Sequence, residues 1–341
     1  MVQCWTRHPG HVRAPEEAAA QRHLKEPDRT RPFLPMPSVA ILLCTYNGAR
    51  FLPAQLASFD NQRFPDWRLF ASDDGSTDET TTILSSHQAV LGPARMQIRN
   101  GPRQGFVANF LGLGCDPSIS ADYYAYADQD DIWEPEKLVR AIDWLKERPD
   151  GIPALYCSRT KLIDEDGRSC GYSPLFQRKP AFRNALVQSI AGGNTMVFNN
   201  AARNLLMFCG SGVRVPSHDW WTYLLTAAAG GAVYYDPVAC VRYRVHAENV
   251  VGSNVGWLNR IRRLFMLAQG RFRHWTDLNI AALEPFRPKM TPENLALFDL
   301  FCRSREQSVI NRQIGFLKAG VYRQTAMGNL GLLVAIWTGK I

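Results

Sequence analysis

The sequence predicts an α/β protein with a mainly parallel sheet flanked by helices, and three features of the chain support this. From residue 38 to residue 127, short apolar runs alternate with amphipathic segments, as in repeated strand, helix and strand units. From residue 154, strand-like runs are separated by turns and a glycine pair, which indicates a mixed second half. Beyond residue 255 the pattern predicts a basic amphipathic helical tail.

The composition is that of an ordinary globular protein, but its charge is unevenly placed. Of the 341 residues, 46% are apolar and 21% are charged, and the net charge is +8. Residues 255–341 hold 13 Lys and Arg against 5 Asp and Glu, so the excess lies at the C-terminal end. A basic tail on a near-neutral body suggests an anionic surface, membrane or nucleic acid, as partner.

The cysteines indicate the compartment. The chain has eight of them, they form no C-x-x-C pair, and several lie inside apolar runs. We expect no signal peptide before them. Reduced thiols in a cytoplasmic protein are therefore predicted.

The N-terminal half divides into an arm and an alternating series of strands and helices. Residues 1–35 are rich in Arg, Pro, Glu and Ala without apolar periodicity, so we expect a disordered arm, with Met36 as an alternative start. Strands are predicted at residues 38–46, 67–72, 95–99 and 123–127. Helices are predicted to begin near Pro53, to follow a capping box of Ser76 and Glu79, and to span residues 105–113.

The folded domain is expected to span residues 36–254, with a nucleotide-binding half at 36–133 and an acceptor and catalytic half at 134–254. In the second half, strands are predicted at residues 154–157 and 161–163, followed by a hairpin turn at Asp166 and Gly167. The pair Gly192 and Gly193 precedes a further strand, as expected where backbone passes close to a ligand. An apolar helix is predicted to open at residues 216–221, and strands follow at 233–237 and 241–249.

Polar clusters follow three of the predicted parallel strands. Because ligands bind beyond the carboxyl ends of such strands, we expect these clusters to share one crevice. Tyr46 would lie against a base, and Asp73 or Asp74 would accept hydrogen bonds from a base N–H or a ribose hydroxyl. An Asx turn leading into the next helix explains Asp73 and Asp74 equally well. The clusters are Thr45, Tyr46 and Asn47, then Asp73 and Asp74, then Asp128, Gln129 and Asp130.

The third cluster predicts a metal site. Asp128, Asp130 and Asp131 stand within four residues, directly after an apolar run. In an extended segment Asp128 and Asp130 point one way and Asp131 the other. Hard carboxylate ligands suit Mg²⁺ or Mn²⁺, with water and substrate phosphates in the remaining positions. The alternative is an acidic turn that only caps a helix beginning near Pro135.

Two more groups of candidates lie late in the chain. Arg242, Arg244 and His246 alternate along a predicted strand and would share one face, an arrangement that fits a diphosphate. Ser217 or Asp219, at the start of the predicted apolar helix, would serve as its N-cap.

The tail predicts contact with an anionic membrane. On a helix its apolar side chains form one stripe with arginines beside it, which is typical of an interfacial helix, although packing on the protein's own core is an equal alternative. The apolar run at residues 330–337 is far shorter than the roughly 20 residues that a spanning helix needs. The stripe consists of Trp257, Ile261, Leu264, Phe265, Ala268, Phe272 and Trp275, flanked by Arg260, Arg262, Arg263, Arg271 and Arg273.

Five motifs in this order resemble glycosyltransferase family 2, particularly its bacterial rhamnosyltransferase-like members. They read VAILLCTYNG at 39–48, SDDGSTD at 72–78, DQDDIW at 128–133, HDWW at 218–221 and YRVHAEN at 243–249, and the resemblance covers about residues 38–254. It implies a GT-A fold, a nucleotide-diphosphate sugar as donor, a divalent metal, and transfer with inversion at the anomeric carbon. The acceptor is expected to be lipid-linked or a polysaccharide, and the protein to lie at the inner face of the cell membrane.

The resemblance also implies roles for residues in the first half. Tyr46 and Asp73 or Asp74 match the family's nucleoside contacts. Asp128 and Asp130 match its ribose and metal ligands.

In the second half, Asp219 matches the family's general base. His246 matches the histidine of the last motif, where it would join the metal ligands. Val245 stands in place of the glutamine that commonly precedes this histidine, so the contact made by that glutamine is not expected here.

Two other functions are compatible with parts of the sequence. A metal-dependent nucleotidyltransferase would use the same carboxylates, but it needs a basic glycine-rich loop near the first strand, and residues 45–50 match one poorly. A non-catalytic sugar- or nucleic-acid-binding module is compatible with the basic tail. The carboxylates of the crevice would repel phosphate chains unless metal is bound, so no nucleic-acid partner is expected.

Overall fold

The computed structural model describes residues 37–245 and 271–341, and the chain from Pro37 to Ile341 forms one compact unit. The predicted arm, His246 and the predicted interfacial segment up to residue 270 lie outside the described residues. In the described part, the strands join into one nine-stranded sheet with helices on both faces, which confirms the predicted α/β class.

The N-terminal elements form the parallel half of the sheet. They are β1 (Val39–Thr45), α1 (Leu52–Asp60), β2 (Trp67–Asp73), α2 (Thr80–Leu91), β3 (Met96–Asn100), α3 (Phe106–Cys115) and β4 (Tyr123–Ala127). β1 lies between β2 and β4, and β2 pairs with β3, all in parallel. β1 is buried along its whole length, because its unbroken apolar run is covered on both faces.

The second half of the sheet is mixed, as predicted. Its elements are β5 (Ile132–Trp133), α4 (Lys137–Leu145), β6 (Ala154–Ile163), β7 (Ser169–Tyr172), α5 (Phe182–Ala185), a 3-10 turn (Gly193–Thr195), β8 (Val197–Asn199), α6 (Asn200–Cys209), α7 (His218–Ala228) and β9 (Ala232–Arg244). β8 is antiparallel to β4 and to β6, whereas β6 and β9 are parallel. The strand order is β3-β2-β1-β4-β8-β6-β9-β5, and β7 pairs with β6.

Four local predictions were wrong. The strands predicted at 233–237 and 241–249 are, over the described residues, one strand, β9 (Ala232–Arg244). The capping box is absent, since α2 begins at Thr80 with Glu79 as N-cap and without a side-chain cap, while Ser76 bonds to Asp73. The strands predicted at 154–157 and 161–163 are one strand, β6, because β9 pairs with both segments across an irregular step. The helix expected near Pro135 begins only at Lys137, after β5 has paired with β9.

Alternation along β1 separates two core layers. Ala40, Leu42 and Cys44 pack into a layer with residues of α3, α6 and α7. Val39, Ile41 and Leu43 point the other way and pack with residues of α1, α2 and α4. Helices α3 and α7 therefore lie on the same face of the sheet.

The C-terminal helices extend the first of these layers. They are α8 (Arg271–Leu283), a 3-10 segment (Glu284–Lys289), α9 (Pro292–Arg305), α10 (Val309–Ala319) and α11 (Ala326–Thr338). Phe272 of α8, Phe298 of α9 and Phe316 of α10 are buried in that layer. Among the described residues, no helix combines the length and the apolar character needed to cross a membrane.

The predicted interfacial stripe can be followed only at its end. Phe272 is buried, and the ring of Trp275 meets Trp220 of α7 edge-on at a centroid distance of 6.4 Å. These two side chains pack on the protein's own core, which was the alternative interpretation of the stripe.

Candidate active site

Polar residues that follow β1, β2 and β4 meet at one edge of the sheet. These strands are parallel neighbours, so their carboxyl ends lie side by side. Thr45 Oγ1 donates to Asp73 Oδ1 at 2.9 Å, which joins the ends of β1 and β2. Gln129, after β4, contacts the backbone of Tyr46, after β1. The three predicted clusters therefore lie together at this edge of the sheet.

Asp73 organises the loop that follows β2. It is buried, and its Oδ1 accepts hydrogen bonds from Thr45 and, at 2.5 Å, from the hydroxyl of Ser76. Its Oδ2 accepts from the backbone N–H groups of Gly75 and Ser76, at 3.2 and 2.8 Å. This is the Asx turn that the sequence suggested as an alternative, and it fixes the loop through several bonds at once.

Asp74 ties the same loop to the start of α3. Its Oδ1 accepts from the backbone N–H of Arg103 at 2.6 Å, and its Oδ2 accepts from that of Gly105, the N-cap of α3, at 2.7 Å. Each carboxylate oxygen can accept a second hydrogen bond. Asp74 thus holds two loops together and keeps acceptor capacity for a ligand.

Tyr46 and Asn47 form the rim of the crevice. The Tyr46 side chain is 58% exposed, so its ring is accessible to a planar ligand. Asn47 has a φ of 48°, a left-handed conformation that asparagine tolerates better than most residues. Its Oδ1 accepts from Thr77 N–H and its own N–H donates to Ser76 Oγ, both at 2.8 Å. Asn47 therefore links the loops after β1 and β2.

Asp128 lies where carboxylates from two elements meet. Burial, followed by the charges of Asp130 and Asp219, raises the pKa of Asp128 to about 8, while the charge of Lys137 opposes the rise. Asp130 and Asp219 therefore act electrostatically on Asp128 from two different elements of the structure. The crevice therefore concentrates negative charge that a divalent cation would offset.

Asp131 has a different role from its two neighbours. It is fully buried, its Oδ2 accepts from Asn194 Nδ2 at 2.5 Å, and its Oδ1 accepts from the backbone N–H of Arg244 at 3.1 Å. Burial and the charges of Asp130 and Asp128 raise the pKa of Asp131 well above its usual value. Asp131 therefore acts as a hydrogen-bond acceptor inside the protein, not as the metal ligand that the sequence suggested.

The donor set that fits Mg²⁺ or Mn²⁺ is the pair Asp128 and Asp130. Within residues 37–245 and 271–341, no three His, Cys, Asp or Glu side chains are arranged to hold a metal ion. A pair of carboxylates is nevertheless a usual protein contribution to such a site, because water and substrate phosphates supply the other ligands. The fourth predicted ligand, His246, lies outside the described residues.

Aromatic packing fixes the first turn of α7 beside the end of β4. The ring of His218 stacks on Phe110 of α3 with centroids 3.9 Å apart, and it meets Tyr126 of β4 edge-on at 4.7 Å. One turn later, the hydroxyls of Thr222 and Tyr126 lie 3.2 Å apart. Burial lowers the pKa of His218 to about 4, so its ring is neutral at pH 7.

This anchored turn carries Asp219. Ser217 is the N-cap of α7 and Asp219 the second residue of the helix, so Asp219 is not itself the cap. Its Oδ1 accepts from Ser217 Oγ at 2.5 Å and from the backbone N–H of Trp220 at 2.6 Å. The helix N-terminus favours the ionised carboxylate. Asp219 therefore lies on an element separate from Asp128 and Asp130, and its charge acts on Asp128.

The two arginines of β9 have protein partners. Arg242 Nε and Nη2 donate to the two carboxylate oxygens of Glu134, at 2.7 and 3.0 Å. Arg244 is buried, and its Nε donates to the backbone carbonyl of Asp130 at 3.0 Å. Arg244 therefore supports the backbone of the segment that carries Asp128 and Asp130. Arg242 pairs with a carboxylate instead of presenting an unpaired charge to a diphosphate.

Three polar residues have partners that the sequence did not identify. Gln129 bonds to the backbone of Tyr46, and Asn109 holds the end of β2 through Ser72 O at 2.9 Å. Lys137 is fully buried, its Nζ lies 3.1 Å from the centroid of the Trp133 ring, and it has no hydrogen-bond partner among the described residues. In the sequence, the available signal for Asn109 and Lys137 was that each is a polar residue next to an apolar run. Their partners come from distant parts of the chain.

Comparisons with known proteins agree with one another. The model of glycosyl transferase family 2 matches residues 40–206. The chain is 26% identical over 308 residues to the dTDP-rhamnosyl transferase RfbG of Shigella flexneri, with 86% of this chain and 93% of that protein covered. It is 28% identical over 223 residues to a chondroitin synthase of Escherichia coli, with 63% and 30% covered.

Among solved structures, that of S. aureus TarS 1–349 is similar in fold. The two structures superpose with a TM-score of 0.50 at 13% sequence identity, with 89% of this chain and 88% of that chain covered. At this identity the likeness concerns the fold alone, and it agrees with the GT-A fold.

Proposed function

We propose that this chain is a glycosyltransferase of family 2, whose model matches residues 40–206, and that it transfers rhamnose from a nucleotide-diphosphate sugar to a lipid-linked or polysaccharide acceptor. The observation that carries the proposal is that hydrogen bonds join the loops after β1, β2 and β4 at one edge of the sheet, where the charges of Asp130 and Asp219 both act on Asp128. Rhamnose is chosen because a relative that matches over 93% of its length is named a dTDP-rhamnosyl transferase. The product would be part of a cell-surface glycan.

In this proposal, residues 36–133 hold the nucleotide. The exposed ring of Tyr46 lies against the base, beside Thr45 and Asn47. Asp73 and Asp74 keep the adjoining loops in place and offer their remaining acceptor capacity to base N–H groups or ribose hydroxyls. Because these loops are already held in place, donor binding loses less conformational entropy.

Asp128 and Asp130 would hold Mg²⁺ or Mn²⁺. When bound, the ion would offset the negative charge that develops on the leaving diphosphate. Arg244 contributes indirectly, because its contact with the Asp130 carbonyl fixes the backbone of the motif. His246 would join the metal ligands, and Arg242, positioned by Glu134, would contact the diphosphate.

Asp219 would act as the general base. The acceptor oxygen forms a bond to the anomeric carbon while the bond from that carbon to the diphosphate breaks, and the bonding electron pair leaves with the diphosphate. The acceptor's proton passes to Asp219. Attack and departure on opposite faces invert the anomeric configuration, which requires the base to come from a different element than the metal pair, as α7 does.

Residues 134–254 would then contribute the acceptor half of the site. The basic tail, residues 255–341, would hold the enzyme at an anionic inner membrane surface, where a lipid-linked acceptor is accessible. Of the arginines to which the sequence assigned this contact, Arg271 and Arg273 are described, and Arg273 Nη1 donates to the Gly339 carbonyl at 2.9 Å.

A panel of nucleotide sugars tests the proposal. In the presence of Mn²⁺, the donor should stabilise the protein by about 2.7 kcal/mol at 100 times its Kd. The enzyme should release the nucleoside diphosphate from this donor when an acceptor is added. Release of pyrophosphate from a nucleoside triphosphate and a sugar phosphate would identify a nucleotidyltransferase and overturn the proposal.

A further inference from the structure

Helices α10 and α11 form an antiparallel hairpin on the surface of the protein. Arg312, in the first turn of α10, donates from Nη1 to the carbonyl of Ile336, near the end of α11, at 3.2 Å. Phe316 of α10 and Leu332 of α11 are buried in the same core layer. Because both helices bury one face in this layer, their opposite faces look outward on the same side of the hairpin.

The outward face of α10 is apolar. Ile310, Ile314 and Leu317 follow one another at spacings of four and three, so they form one stripe along the helix. All three are exposed, Leu317 by 75%. On a helical projection, the stripe lies directly opposite the buried residues Phe316 and Ala319.

The outward face of α11 continues this surface. Its stripe lies opposite the buried residues Leu332 and Ala335, and every member of it is more than half exposed. Together with the stripe of α10 it forms the hairpin outer face, an apolar surface larger than scattered exposed side chains produce. The members on α11 are Met327, Leu330, Leu333, Val334 and Trp337.

The charge of the same segment is of one sign. Residues 307–341 contain four Lys and Arg and no Asp or Glu. Lys318 and Lys340 stand near the two ends of the hairpin, and Trp337 lies on its outer face near the C-terminal end of α11. Apolar stripes, a tryptophan and basic side chains without acidic ones are the features of a surface that lies in a lipid interface.

We propose that the hairpin outer face docks in the interface of an anionic lipid bilayer. The apolar side chains enter the boundary between headgroups and acyl chains, and the positive charge of residues 307–341 attracts the anionic headgroups. This assigns membrane contact to a surface other than the stripe that ends at Trp275, which packs on Trp220. Its biological purpose rests on the proposed lipid-linked acceptor, but docking itself is independent of the reaction.

A second copy of the chain is a less suitable occupant. In a symmetric dimer the same surface meets itself, so the positive segments of two hairpins would face one another without an acidic partner from residues 307–341. An anionic membrane instead supplies the complementary charge.

Flotation of the full-length protein with vesicles tests the proposal. Wild type should bind vesicles of equal phosphatidylglycerol and phosphatidylcholine, and bind pure phosphatidylcholine more weakly. The double variant Leu317→Asp/Leu330→Asp should bind the mixed vesicles at least about tenfold more weakly. Two apolar side chains that would enter the lipid are lost, and two negative charges that the anionic headgroups repel are added. Both positions are exposed, so the fold should be retained.

The matched control is Val90→Asp/Ile152→Asp, which makes the same charge change at exposed apolar residues outside the hairpin. It should bind like wild type. Equal binding by wild type and the hairpin variant would overturn the proposal. So would sedimentation data in which wild type forms a dimer without lipid and the hairpin variant is monomeric.

Donor binding by the hairpin variant, measured without vesicles, should equal that of wild type. This readout separates failure of docking from failure of the proposed transferase function.

Discussion

The side-chain amide of Gln129 forms two hydrogen bonds with the backbone of Tyr46. Its Oε1 accepts from the Tyr46 N–H at 2.8 Å, and its Nε2 donates to the Tyr46 carbonyl at 2.9 Å. Gln129 stands between Asp128 and Asp130, so this pair of bonds joins the proposed metal ligands after β4 to the rim residue Tyr46 after β1. The positions of the proposed metal ligands and of Tyr46, which is proposed to contact the nucleotide base, are thereby coupled.

Gln129→Ala should weaken donor binding about tenfold, since both bonds that hold the Tyr46 backbone are lost, each worth about 0.5–1.5 kcal/mol. Titration calorimetry with the donor measures this. Gly48→Ala should have a similar effect, because its Cβ would stand 2.1 Å from Gln129 Oε1. Gln313→Ala, at an exposed glutamine of α10, is the control. Unchanged donor affinity in both site variants would contradict the coupling.

Asp219→Asn should slow transfer by at least about 10²-fold, because asparagine cannot take the acceptor's proton. The amide oxygen can still accept from Ser217 and Trp220, so the fold and donor affinity should be retained. Steady-state kinetics and donor titration give the two readouts. Ser217→Ala, which keeps the carboxylate, should change turnover far less. Near-normal turnover of Asp219→Asn would leave the base unassigned.

Asp130→Asn and Asp131→Asn should fail in different ways. Asp130→Asn should abolish the dependence of donor binding on Mn²⁺ and lower transfer, with little change in thermal stability. Asp131→Asn should lower stability by about 1–3 kcal/mol, because an amide NH₂ would face either Asn194 Nδ2 or the Arg244 N–H.

Urea unfolding and Mn²⁺ titration separate the two outcomes. If Asp130→Asn lowered stability and Asp131→Asn abolished the Mn²⁺ dependence, the roles assigned to the two residues would be exchanged. Full transfer by wild type in excess chelator would remove the metal from the proposal.

Metal binding should strengthen as pH rises toward about 8. The pKa of Asp128 is raised to about 8, whereas the unfolded chain has about 3.9 for this group. Between these values the folded state holds a proton that the unfolded state lacks. Without metal, the free energy of unfolding therefore falls with rising pH across this window and levels off above it.

A bound divalent ion must displace that proton, so Mn²⁺ should raise Tm more at about pH 8 than at about pH 6. Differential scanning calorimetry at both pH values measures the difference. Asp128→Asn should remove most of it. An equal Tm increase at the two pH values in wild type would show that Asp128 does not exchange a proton for the metal.

Much of the fold follows from local patterns. The unbroken apolar run of β1 predicted a strand covered on both faces, and β4 was predicted with its observed bounds, Tyr123–Ala127. The predicted alternation of strands and helices was sufficient to bring Thr45, Asp73 and Asp128 to one edge, because parallel strands end on the same side. Errors occurred where pairing with a distant strand decided the outcome, as in β6, which β9 keeps continuous.

The sequence by itself predicted the fold class, the resemblance to a family and the edge of the sheet where the polar clusters lie, because periodicity, turn chemistry and motif order are properties of neighbouring residues. Only the tertiary structure decided which partner each side chain meets. In the tertiary structure, Asp131 accepts hydrogen bonds from Asn194 and Arg244. Phe272 is buried in the core, whereas Leu317 is exposed. An apolar helical stripe has the same pattern whether it packs on protein or faces outward, so its partner depends on contacts between distant segments.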